Sequence, residues 1–236
     1  ILMNLAPYGV FCLLAKLFTS QGFSAIINLA LYFGTIVFVL FLHASAVYTS
    51  IFALLTRLNP LTLFKNMRPA LLFAFSTSSS NATMPITLNV ARTRVGAHNS
   101  IASFTIPLGA TVNMDGTAIM QGIATVFIAQ AYGLDLTMSE YLAVVATATL
   151  ASIGTAGVPG VGLITLAMVL QQVGLPVEGI GLIIGVDRLL DMMRTVVNVS
   201  GDGMVTAVVA DSEGLLDRDV FNDLSDQDEH QKVNAS

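Results

Sequence analysis

The sequence predicts an all-α membrane protein: transmembrane helices with two re-entrant helical hairpins related as an inverted repeat. Three observations point there. Mean hydropathy is +0.76, with 54% hydrophobic and 11% charged residues over 236 positions, against about 25% charged in an ordinary soluble domain. Two Ser/Gly/Pro-rich breaks interrupt the apolar sequence with one spacing. Ser78 precedes Pro85 by seven residues as Ser152 precedes Pro159 by seven, and Asn113 follows Pro85 by 28 as Asp187 follows Pro159 by 28. Finally, Asp187, Asp191, Arg194, Thr195, Asn198 and Asp202 fall on one face of a helix otherwise filled with Leu, Val and Met. Ionisable groups at membrane depth are costly and mark ion or substrate paths.

In chain order, residues 5–18 and 23–55 are apolar, and the second run is long enough for a tilted span of roughly 20 residues or more. His43, inside it, reads as a satisfied core histidine. A polar turn follows with Arg57, Asn59-Pro60, Lys65, Arg68 and Pro69, and a basic pair, Arg92 and Arg94, comes later. The positive-inside rule makes both segments cytoplasmic. Between them lies a first hairpin, about 62–92, broken from Phe75 to Pro85, where Ser, Asn and Pro free backbone groups. Such backbone persists at membrane depth only when buried in protein or lining a polar cavity. A broken helix over about 101–131, a second hairpin over about 140–175 and a helix over about 178–210 complete the pattern. With one span between them, the two breaks enter from opposite faces and meet near the midplane.

Charge is uneven. Residues 211–236 hold eight acidic groups against Arg218 and Lys232, leaving seven acidic and eight basic groups in 1–210. The acidic run reads as a solvated tail. No basic patch with interleaved aromatics appears, so no nucleic-acid partner is expected. Cys12 is the sole cysteine, which excludes an internal disulfide and reads as a small buried apolar residue. The chain opens on Ile1 without a basic n-region, so no signal peptide is expected and N-terminal helices are expected to be missing.

The middle helix carries Gly109, Thr111, Asn113, Asp115, Gly116 and Thr117. Gly116 and the crowded polar residues predict local unwinding, which frees carbonyl oxygens for a hard cation such as sodium. Asn198 and Asp202 offer the same ligand types as Asn113 and Asp115. His43, His98 and His230 are scattered and do not predict a zinc site. Arg194 can grip a carboxylate with its planar fork, while Asp191, three residues earlier, can hold an ammonium. That pairing suits a zwitterion with a second carboxylate. An intrahelical Asp191–Arg194 ion pair explains the same spacing, and periodicity does not choose between them. The tips Ser78–Asn81 and Gly157–Gly160 supply N–H groups for a remaining carboxylate. An aspartyl protease needs two carboxylates sharing a proton, whereas these aspartates alternate with Arg and Asn at helical spacing.

Four motifs, in order, are similar to those of the glutamate transporter family, the dicarboxylate/amino acid:cation symporters: Thr77-Ser-Ser-Ser80, Asn113-Met-Asp-Gly-Thr117, Ser152-Ile-Gly-Thr-Ala-Gly-Val-Pro-Gly160 and Asp191-Met-Met-Arg-Thr-Val-Val-Asn-Val-Ser-Gly-Asp202. The resemblance covers roughly 1–215. It implies a scaffold transmembrane helix at 1–22, a transport core at 23–210 and an acidic cytoplasmic tail at 211–236, with four further helices upstream in family members. By the same resemblance, Ser79, Ser80, Thr117, Val158, Gly160, Asp191, Arg194, Thr195 and Asn198 bind substrate. Gly109, Asn113, Asn198 and Asp202 form one sodium site. Thr111 with carbonyls around Ser152, Ile153 and Thr155 forms a second, and Asn113 with Asp115 part of a third.

The resemblance implies a multi-pass protein of the plasma (cell inner) membrane, a homotrimer in the full-length parent. It would not be an enzyme, and would carry aspartate or glutamate with sodium by alternating access. Sodium serves as coupling ion and no other cofactor is expected. A proton-coupled or C4-dicarboxylate symporter of the same fold is the alternative. The chain departs from the family twice: an arginine found in relatives at the first hairpin tip, or just after the substrate aspartate, is replaced by Ser78 and Met192. Arg188, one turn before Met192, is the candidate to supply that charge near the hairpin.

Overall fold

A computed structural model describes residues 23–223. The helix expected over 1–22, Cys12, His230 and the acidic run beyond Asp223 lie outside the described residues. Within them the protein is helical and contains no strands.

Helix α1 (Phe23–Leu42) continues through a π-helical turn (His43–Tyr48) into α2 (Thr49–Thr56). Ile27–Thr56 is thus one 30-residue helical run, long and apolar enough to cross a membrane. It ends at Arg57, which takes a left-handed φ of 59°. Asn59 then caps α3 (Pro60–Thr77) by accepting from the Leu61 N–H, with Pro60 at the first helical position, where its missing N–H costs nothing. Ser78 breaks the helix with φ 53°, and extended Ser79 caps α4 (Ser80–Thr93) through its hydroxyl. α3 and α4 therefore form an antiparallel pair with its tip at Ser78–Ser79.

Helices α5 (Asn99–Val112) and α6 (Asp115–Ala131) are one rod broken at Asn113 and Met114. α7 (Met138–Ser152) starts on a reciprocal cap between Thr137 and Glu140 and pairs with α8 (Val161–Gln172) across the loop 153–160. A short 3₁₀ turn (Val177–Gly179) leads into α9 (Ile180–Ser212), which is 33 residues long.

α9 is the axis of the molecule and packs on α1 to α6 and on α8. Its stretch from Val197 to Met204 is buried on every side, as expected for a helix enclosed by others. The outer surface instead carries large apolar side chains, among them Leu31, Phe38, Phe41, Leu72, Phe104 and Ile164. Such a surface suits lipid or further helices rather than water.

One expectation is corrected. The segment from Asp211, read as the start of a solvated tail, is ordered to Asp223: α9 runs to Ser212, and α10 (Arg218–Asn222) docks with Phe221 fully buried. The acidic side chains Glu213, Asp217, Asp219 and Asp223 stay exposed while Phe221 alone turns inward.

Candidate functional site

The two breaks at 78–79 and 153–160 touch. The Ser79 hydroxyl donates to the Gly157 carbonyl at 2.6 Å, and the Asn81 N–H donates to the same oxygen at 3.0 Å. A Cβ on Gly157 would lie 2.9 Å from Asn81 Oδ1 and 3.0 Å from the Asn81 nitrogen, so this approach requires glycine. Beneath the tips is a cleft of about 20 Å³ whose lining includes Ser80, Thr117, Val158, Asp191, Thr195 and Asn198. That is room for about one water molecule, so the tips are closed.

α9 forms the floor. Long helical side chains lean toward the N-terminus of their helix, and Arg194 accordingly reaches back along it. Its Nη2 donates to Asp191 Oδ1 at 2.9 Å and lies 3.1 Å from Asp187 Oδ1. The second contact is an ion pair without hydrogen-bond alignment, since Asp187 Oδ1 and Arg194 Nε and Nη1 have no hydrogen-bond partner. The other Asp191 oxygen accepts the Gly160 N–H at 2.9 Å, and the Thr195 hydroxyl donates to the Asp191 carbonyl at 2.8 Å. Arg194 is 1% exposed and sits behind the cleft, beside Gly162. The intrahelical ion pair, one of the two open readings of the sequence, is thus present in this closed arrangement. Asp187, which had no role in the sequence reading, is its third member.

Of the residues expected to hold sodium, Gly109, Asn113, Asn198 and Asp202 come together at the break between α5 and α6. Asn113 Nδ2 donates to Asp202 Oδ1 and to the Asn198 carbonyl, each at 3.0 Å. The Gly109 backbone passes so close to Asp202 that a Cβ there would stand 2.5 Å from its carboxylate. Asn198 Oδ1 accepts the Gly116 N–H at 2.8 Å, while its Nδ2 faces Met114 Sδ at 3.2 Å. Thr111, Ser152, Ile153 and Thr155 gather at a second place. There the Gly154 N–H donates to the Thr111 carbonyl at 2.7 Å and the Thr155 N–H to the Ser152 carbonyl at 3.1 Å. Ile153 is 46% exposed, so it can offer its backbone but no buried side chain.

Asp115 is held from the side of α1. Tyr48 Oη donates to Asp115 Oδ2 at 3.0 Å, and His43 Nε2 lies 3.1 Å from the same oxygen. His43, read as a core histidine, is therefore a partner of a site carboxylate. In an α-helix, residues five apart point about 140° apart. The π turn over His43–Tyr48 removes much of that angle, and the two rings meet edge to face at 4.6 Å. Arg188, expected to supply charge near the first tip, makes no hydrogen bond or ion pair among the described residues, and the Ser78 hydroxyl is buried without a partner.

The interior of the bundle thus holds carboxylates, amides and one buried guanidinium, while its exterior is apolar. The chain belongs to the sodium:dicarboxylate symporter family, whose family model matches residues 1–212, and is an integral membrane protein. It is 43% identical over 210 residues to excitatory amino acid transporter 3 of Mus musculus, covering 89% of this chain and 40% of that protein. It is also 43% identical over 206 residues to excitatory amino acid transporter 4 of Mus musculus (86% and 37%) and 41% identical over 206 residues to an excitatory amino acid transporter of Caenorhabditis elegans (86% and 41%). The chain thus spans well under half the length of these relatives.

Proposed function

We propose that this chain is the transport core of a sodium-coupled symporter of acidic amino acids, aspartate or glutamate, working by alternating access. The observation that carries it is the closed ion pair of Asp191 and Arg194 under the Gly160 N–H. An α-amino acid with a side-chain carboxylate offers the ammonium and carboxylate that would replace each half of that pair. A dicarboxylate without an ammonium would leave Asp191 unsatisfied, which favours the amino acid over the C4-dicarboxylate alternative.

A cleft sized for one water cannot admit such a substrate. Entry requires the Gly160–Asp191 hydrogen bond and the Ser79–Gly157 contact to part, so the loop 153–160 acts as the gate. The α3–α4 and α7–α8 pairs then serve as re-entrant hairpins entering from opposite faces, with the C-terminus cytoplasmic. Substrate would sit among Ser79, Ser80, Thr117, Val158, Gly160, Asp191, Arg194, Thr195 and Asn198.

Sodium would be held by Gly109, Asn113, Asn198 and Asp202, by Thr111 with Ser152, Ile153 and Thr155, and by Asp115 with Asn113. The Asn113 amide, now donating to the Asp202 carboxylate and the Asn198 carbonyl, occupies the oxygens a cation would take. Turning that amide over exchanges two N–H donors for one more oxygen ligand. The full-length protein would assemble as a homotrimer.

The test is radiolabelled aspartate uptake by the full-length protein in liposomes, with sodium, proton and potassium gradients imposed one at a time. Uptake driven by an inward sodium gradient is expected. Uptake that follows a proton gradient and ignores sodium would replace this reading with the proton-coupled one.

A further inference from the structure

The residues that follow α9 are held by three separate parts of the chain. The His98 N–H donates to the Leu215 carbonyl at 3.0 Å, and the Asp217 N–H donates to the Gly96 carbonyl at 2.9 Å. Between these bonds Ala97 and Leu216 form an antiparallel bridge. Gly96 takes a left-handed φ of 79°, and a Cβ on it would run into the Asp217 carbonyl oxygen. Asp217 caps α10 by accepting from the Asp219 and Val220 N–H groups. Arg218 Nη2 donates to Asp211 Oδ1 at 2.7 Å and to the Thr56 carbonyl, at the end of α2, at 3.3 Å. Phe221 is buried against Phe52 of α2, ring centroids 6.0 Å apart, while Asn66 Nδ2 of α3 donates to the Phe221 carbonyl at 2.9 Å.

One short segment thereby joins the end of α2, the base of α3, the turn between α4 and α5, and the end of α9. The base of the α7–α8 pair is built differently. Among the described residues, the loop and cap hydrogen bonds at 132–140 and 173–179 all stay within five positions.

We propose that Leu215–Asn222 is a clamp that fixes the base of the α3–α4 pair to the body of the protein, so that the site opens at 153–160 while the Ser78–Ser79 tip stays in place. The clamp explains why two helix pairs with touching tips are not equivalent. The moving pair is the one whose base makes its loop and cap hydrogen bonds only within itself. Local opening follows the density of tertiary contacts and hydrogen bonds, and the clamp concentrates both on one pair. It rests on the transport reading for the gate and adds what holds the other tip in place, but its test does not depend on transport.

Hydrogen exchange by mass spectrometry on the full-length protein, without substrate, compares wild type with Phe221→Ala and Arg218→Ala. In wild type, residues 70–83 should exchange at least tenfold more slowly than 150–162. Either variant should raise exchange at 70–83 about tenfold and leave 150–162 unchanged. Arg218→Lys, which keeps a donor for Thr56 and Asp211, should restore protection. Arg218 has a half-exposed side chain, so its removal leaves the core intact even if Phe221→Ala does not fold. Protection at 70–83 that survives Arg218→Ala, or equal loss at both tips, overturns the clamp. Absence of sodium-driven uptake would sink the transport reading and leave this comparison standing.

Discussion

Asp187 and Arg194 lie two helical turns apart on α9 and meet at 3.1 Å, with Asp187 4% exposed and Arg194 1%. Arg194 therefore has two carboxylates, and only Asp191 also touches the gate. A division of labour follows. On the proposed transport reading, Asp191 would change partner when substrate arrives, while Asp187 would keep the guanidinium in place. Truncating one partner of a buried pair is destabilising because the other charge is left uncompensated, and here Asp191 softens that loss. Asp187→Asn should fold, and its KM for aspartate should rise about tenfold, equivalent to ~1.4 kcal/mol, with sodium activation unchanged. Uptake kinetics matching wild type would show that Arg194 needs no second carboxylate.

Arg194→Cys removes the cation that would receive the substrate side-chain carboxylate. Acidic uptake should fall by at least a hundredfold, roughly 3 kcal/mol for a charge-assisted bidentate contact. Uptake of small neutral amino acids should appear, because the site keeps Asp191, Thr195 and Asn198. Competition assays with aspartate, serine and alanine read this directly, and unaltered aspartate uptake would refute the role.

Gly157 sits where the tips meet, and an added Cβ would press on Asn81 from 2.9 Å. Gly157→Ala should hold the tips apart. A cysteine placed at Val158 should then react with a membrane-impermeant thiol reagent faster than in the parent background, with weaker aspartate binding. Equal labelling rates would mean that the loop 153–160 closes without this contact.

Tyr48 donates to Asp115 from the π turn, alongside His43. Tyr48→Phe removes one of the two side chains that contact the Asp115 carboxylate from the α1 side. If Asp115 contributes to a sodium site, the sodium concentration for half-maximal uptake should shift about threefold or more, about 0.7 kcal/mol, as expected for one neutral hydrogen bond. A shift in aspartate KM with sodium activation unchanged would place Tyr48 in substrate binding instead.

The all-α class and the family were legible in the sequence because both rest on local signals. Apolar runs are contiguous, and four motifs keep their residues in linear order. The helix breaks at Ser78–Ser79, Asn113–Met114 and 153–160 occur where Ser, Asn, Gly and Pro crowd together, since a helix fails for reasons confined to a few residues. Asp191 and Arg194 shared a face by periodicity alone, yet periodicity could not say whether they faced substrate or each other. The folded chain shows them paired.

Tertiary structure alone decided the partners that cross between elements. His43 looked like a core residue because it lies inside an apolar run, and the π turn sets it beside Tyr48 against Asp115. The segment after Asp211 is largely exposed, as its charges suggest, but its docking through Phe221 depends on Phe52, Asn66 and Gly96 arriving from distant parts of the chain. Sequence pattern determines which face of a helix is polar. Which carboxylate meets which cation across that face depends on packing, and packing is a property of the whole fold.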